Sequence, residues 1–118
     1  AAAFTGITTH TGTLTLTVGA AAATVAQLVT INAATTGVIT LNANTIAANL
    51  TGLAADLAAA FTGITTHTGT LTLTAGAAAA TLAQLVTINA ATTGAITLNA
   101  ATIAADYSDT AANLVAAF

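Results

Sequence analysis

Residues 1–57 return as residues 58–114 with 47 of 57 positions unchanged, and residues 115–118 open a third copy. Phe4, Phe61 and Phe118 stand 57 residues apart, as do His10 and His67, so the period has neither insertion nor drift. A module repeated at fixed length covers its neighbour's apolar face, which is the logic of solenoids, propellers and arrays. The expected divisions are repeat one (1–57), repeat two (58–114) and the start of a third (115–118), cut from a longer array.

The surface chemistry narrows the class. There is no Lys or Arg, Asp56, Asp106 and Asp109 are the only acidic residues, and 56% of the chain is hydrophobic. A soluble domain carries charge on about a quarter of its residues, so most of this surface is expected to be covered, by further copies of the chain or by sugar. Without cations to meet phosphate, nucleic acid is excluded as a partner. No run of about 20 apolar residues is present, so no membrane insertion is expected. The first residue is not Met and no basic segment precedes an apolar one, so any secretion signal is expected to lie outside this sequence. The absence of Cys excludes disulfides and thiolate metal sites.

Hydrophobic periodicity alternates between two values. Residues 12–18 place Leu14 and Leu16 on one face and Thr13, Thr15 and Thr17 on the other, the period of a half-buried strand. Val25, Leu28 and Val29 form a helical stripe in 24–32, with Thr24 as its cap. A second strand is expected at 37–42, where Ile39 and Leu41 share a face and Thr40 opposes them. Leu50, Leu53, Leu57 and Phe61 step by three or four through an Ala-rich stretch and predict a helix ending at Gly63, capped by Thr51. Repeat two predicts strands at 69–75 and 94–99 and helices at 81–91 and 109–118, the last capped by Ser108 or Asp109. Residues 1–4 read as the tail of an earlier helix. Strand, crossover helix and strand at this spacing make parallel pairs. The expectation is an α/β fold: a parallel-stranded α/β solenoid of 57-residue repeats, strand-helix-strand-helix in each, with two repeats present. Two strands per repeat would advance it by about 10 Å.

Two sets of residues follow as candidate sites. Leu14, Leu16, Ile39, Leu41, Leu53, Leu57 and Phe61 are the expected core through which copies assemble. Thr13, Thr15, Thr17, Thr40, Thr70, Thr72, Thr74 and Thr97 form an expected exposed Thr face, to which either ice or nothing but water could bind. His10 and His67 would sit about 10 Å apart, too far for one metal whose ligands lie about 2 Å from it, and read as solvent-facing turn residues. The three Asp occur singly and without the Gly- and Asp-rich calcium nonapeptide. Ser108 has a capping role rather than a nucleophile's, and no Cys, Lys, phosphate-binding loop or carboxylate pair is present. The chain is therefore read as no enzyme, with no cofactor and no metal. Asn49-Leu50-Thr51 matches a glycosylation sequon, which copy two lacks.

The phrases Thr81-Leu82-Ala83-Gln84-Leu85-Val86-Thr87-Ile88-Asn89 and Leu53-Ala54-Ala55-Asp56-Leu57-Ala58-Ala59-Ala60-Phe61 resemble the strand and helix repeats of very large secreted or cell-surface proteins of bacteria, cyanobacteria among them, described as adhesin-like. The resemblance implies an extracellular, architectural role at the cell surface and supplies no functional residue. The expected function is a structural repeat protein that forms a fibre, sheath or surface layer by head-to-tail stacking. The alternative is a binding module, for ice through the Thr face or as a stalk segment of an adhesin.

Overall fold

Thr24 and Thr81 open two ten-residue helices by the same device. The Thr24 hydroxyl accepts from the Gln27 N–H at 3.2 Å, and the Gln27 side chain accepts from the Thr24 N–H at 2.9 Å. Thr81 and Gln84 repeat both bonds. This reciprocal capping satisfies two of the N–H groups that a helix start leaves without partners.

The structure is a computed structural model and describes residues 6, 7 and 9–118. In chain order the elements are β1 (Leu14–Thr15), α1 (Val25–Ala34), β2 (Ile39–Thr40), α2 (Ala43–Ile46), β3 (Leu50–Gly52), α3 (Ala54–Phe61), β4 (Leu71–Leu73), α4 (Leu82–Ala91), β5 (Ile96–Thr97), α5 (Ala100–Ile103) and α6 (Ala111–Ala117). The fold is α/β, with every strand pair parallel. The expected helix tail at residues 1–4 lies outside the described residues.

The strands form two sheets, β1-β2 and β3-β4-β5, rather than one ribbon. Connection length accounts for the break. A parallel pair needs a crossover of a dozen residues or more, which 16–38, 53–70 and 74–95 supply and 41–49 does not. In that short link Asn42 ends the strand by capping α2, its side-chain oxygen accepting from the Thr45 N–H at 2.9 Å. The chain then restarts as β3, which pairs with β4. Beside the broken sheet the helices form an unbroken row, with α1 against α3, α3 against α4 and α4 against α6.

This arrangement corrects three sequence expectations. Residues 50–52 are strand, so Thr51 caps nothing and the helix begins at Ala54. Leu53 is not core; it stands at the N-cap position of α3 and is 48% exposed. The last helix is capped by Thr110, whose hydroxyl accepts from the Asn113 N–H, and not by Ser108 or Asp109. The four-residue helices α2 and α5 were not expected at all. Of the remaining expected core, Leu41, Leu57 and Phe61 are buried, while Leu14, Leu16 and Ile39 are half-buried. Leu28, Ile64, Leu71, Leu73, Leu85 and Ile88 join them in the core, with Ala60, Ala80 and Ala91 allowing close approach. No helix among the described residues is long and apolar enough to cross a membrane.

Candidate assembly surface and threonine face

His67 marks the joint between the two copies. Contrary to the solvent-facing position expected of it, it has no exposed surface, because copy one covers it: its Nε2 lies 3.0 Å from the carbonyl oxygen of Ala48. A carbonyl only accepts, so Nε2 carries the proton and Nδ1 presents its lone pair to the Thr92 hydroxyl at 3.1 Å. Thr92 also donates to the Gly69 carbonyl at 2.9 Å and accepts from the Gly94 N–H at 2.9 Å. With the ring neutral, the hydroxyl's one hydrogen is thus shared between two acceptors. Burial pushes the His67 pKa down, and the bond to Ala48 offsets part of that shift. The Phe61 ring closes the site, edge-on to the imidazole with centroids 4.9 Å apart.

Backbone approach at this joint is close enough to need glycine. A Cβ on Gly69 would overlap the Ala48 carbonyl, and one on Gly94 would overlap the carbonyls of Gly69 and Thr68. Asparagines tie the layers at two further levels. Asn42 donates to the Thr17 and Ala20 carbonyls, and Asn99 to those of Thr74 and Ala77, at 3.1 to 3.2 Å. Asn32 on α1 donates to the Ala60 and Thr62 carbonyls at the end of α3, and Asn89 on α4 to that of Ala116 on α6. No buried side-chain polar atom among the described residues lacks a hydrogen-bond partner. In a chain without Lys or Arg, uncharged amides, hydroxyls and imidazoles supply the polar joints.

The threonines stand in register. Thr15 pairs with Thr40 across β1-β2, and Thr51, Thr72 and Thr97 form a row across β3-β4-β5. Adjacent members are one strand spacing apart, about 4.8 Å. Thr13, Thr15, Thr17, Thr40 and Thr97 are exposed, and Thr70, Thr72 and Thr74 are half-buried. Thr51 was missed because the sequence assigned it to a helix; its alternation with Leu50 was the available signal.

The other candidates remain dispersed. His10 repeats the bond to threonine, with Nδ1 3.1 Å from the Thr35 hydroxyl, and no group of three or more His, Asp, Glu or Cys able to hold a metal forms among the described residues. Asp56 lies in the first turn of α3. The Asp109 carboxylate accepts from the Thr110 N–H at 2.6 Å and from the Asn113 amide at 2.8 Å, which hold its pKa below the usual range, the backbone bond most. Ser108 is exposed. Asn49 is exposed, and its side-chain oxygen accepts from the Thr70 N–H at 2.9 Å. No protein-family model, curated protein or solved structure matches the chain.

Proposed function

We propose that the chain is an extracellular structural repeat protein, a parallel α/β solenoid whose 57-residue units stack head to tail into a fibre, sheath or surface layer. One observation carries the reading. The segment that β3 and α3 cover in copy two recurs in copy one with the same sequence but less covered: Ile7 is 43% exposed where Ile64 is 4% exposed, and Leu14 and Leu16 are half-buried where Leu71 and Leu73 are buried. At the other end of the molecule, residues 106–118 are the counterparts of the covering segment 49–61. The two ends are therefore complementary by descent from one module. A heterologous contact of this kind, repeated without closing into a ring, produces a filament. The low charge and the elongated shape, 40 Å by 26 Å by 23 Å, suit a unit covered on both ends.

Electron microscopy and sedimentation of the purified chain test the proposal. Linear polymers that lengthen with concentration are expected. A population of single particles at every concentration would remove self-stacking. The in-register Thr51–Thr72–Thr97 row supports a second reading, ice binding through the Thr face, and a thermal-hysteresis measurement with no activity at high concentration would end it.

A further inference from the structure

The two copies differ most at the place where a cleft opens beside the start of the long helix. In copy one this cleft has a volume of about 670 Å³ and is walled by Ala22, Ala23, Val25, Val29 and Leu50, among others. That size lies within the range of small-molecule sites. In copy two only about 270 Å³ remains, lined by Leu82, Ala83, Val86, Asp109 and Asn113, each the counterpart of a residue lining the larger cleft.

The missing volume has an owner. Leu50 is replaced 57 residues later by Tyr107, whose hydroxyl donates to the Ala80 carbonyl at 2.7 Å while its ring packs on the core. The counterpart of that acceptor is the carbonyl of Ala23, which accepts no hydrogen bond from the described residues. Both carbonyls are held by the same anchor, since the Ala23 N–H donates to the buried Thr45 hydroxyl at 2.9 Å and the Ala80 N–H to that of Thr102 at 2.9 Å. Copy one therefore holds a fixed acceptor at the edge of a mainly apolar slot, to which Thr24, Asn49, Thr51 and Asp56 add polar lining, and copy two fills the related slot with a para-hydroxyphenyl ring.

We infer that the copy-one cleft binds a small para-substituted phenol, its ring against Ala22, Val25, Val29 and Leu50 and its hydroxyl donating to the Ala23 carbonyl. Tyr107, the one tyrosine in this sequence, is already engaged at Ala80. A pre-positioned acceptor lowers the ordering cost of binding, and a ligand lacking the hydroxyl leaves that acceptor unmet.

Titration with 4-methylphenol, followed by amide NMR shifts, tests the site. Saturable shifts at Ala23, Val25 and Leu50 are expected, with toluene binding roughly fivefold more weakly for want of the hydrogen bond. Leu50→Tyr should fill the slot and abolish the shifts. Tyr107→Leu should open the second slot, so that 4-methylphenol shifts Ala80 and Leu82 as well, the stoichiometry rises from one to two, and the lowered melting temperature is restored by the phenol. Equal binding of toluene, or unchanged 4-methylphenol binding in a folded Leu50→Tyr variant, would overturn the inference. If Leu50→Tyr does not fold, Tyr107→Leu decides alone: no second site means no phenol slot.

Discussion

Residues 6–17 and 63–74 have one sequence and two environments. Ile64, His67, Leu71 and Leu73 are buried, at 4%, 0%, 0% and 2% exposure, whereas Ile7 is exposed and His10, Leu14 and Leu16 are half-buried. The side chains are chemically the same, so composition and propensity cannot cause the difference. Its cause is the neighbour: β4 lies between β3 and β5, and β1 has only β2 beside it among the described residues. Burial of this segment is set by what lies beside it, and its sequence states only what it would bury if covered.

Substitution of paired positions turns that contrast into a measurement, and the largest expected difference lies at the phenylalanines. Phe61 is 1% exposed and Phe118 is 64% exposed. Phe61→Ala is expected to cost about 3–5 kcal/mol in denaturant unfolding, and Phe118→Ala about 1 kcal/mol or less. Equal losses would mean that another chain covers Phe118 in solution. Next come the strands: Leu71→Ala should cost about 2–5 kcal/mol and Leu14→Ala about half as much, because a half-open site leaves a smaller cavity. A gap that closes as protein concentration rises would report stacking directly.

The glycines sharpen the comparison from the backbone side. A Cβ on Gly69 would overlap the Ala48 carbonyl, but one on Gly12 would meet only the edge of the His10 ring at 3.3 Å. Gly69→Ala is expected to lower stability by about 1–3 kcal/mol, since backbone cannot move aside cheaply. Gly12→Ala should change it by less than about 1 kcal/mol. Comparable losses in thermal melts of the two variants would show that Gly12 is covered in solution as closely as Ala48 covers Gly69.

Which of these features could be read from the chain follows from how local each signal is. The helices α1 and α4 were legible because Thr24 and Thr81 cap them and the stripe behind them has helical period. The parallel pairing of β1 with β2 and of β4 with β5 followed from crossover length. Residues 49–53 were misread because Leu50 and Leu53 continue the stripe of Leu57 and Phe61, and pairing with β4, a contact between copies, outweighs that pattern. The same limit hid the site. His67 reads as a turn residue until Ala48, 19 positions earlier, is brought to its Nε2, and the phenol slot appears only when Leu50 and Tyr107 are compared in place.

The smallest expected effect comes from the proton that the joint excludes. Burial holds the folded-state pKa of His67 below the ordinary histidine value of about 6.5, so the unfolded chain takes up the proton first as pH falls. Stability from this group is complete above about pH 6.5 and declines as the pH drops from there toward the folded-state pKa, with a slope no steeper than about 1.4 kcal/mol per pH unit for one proton. Protonation would give Nδ1 a hydrogen facing Thr92, whose own hydrogen must then turn wholly to the Gly69 carbonyl. Hydrogen bonding can therefore adapt, and desolvation of the charge is what disfavours the protonated fold. Denaturant unfolding across this pH range should give a falling stability in the native chain and a flatter profile in His67→Gln. An unchanged slope in that variant would mean that the imidazole is not sealed between the copies.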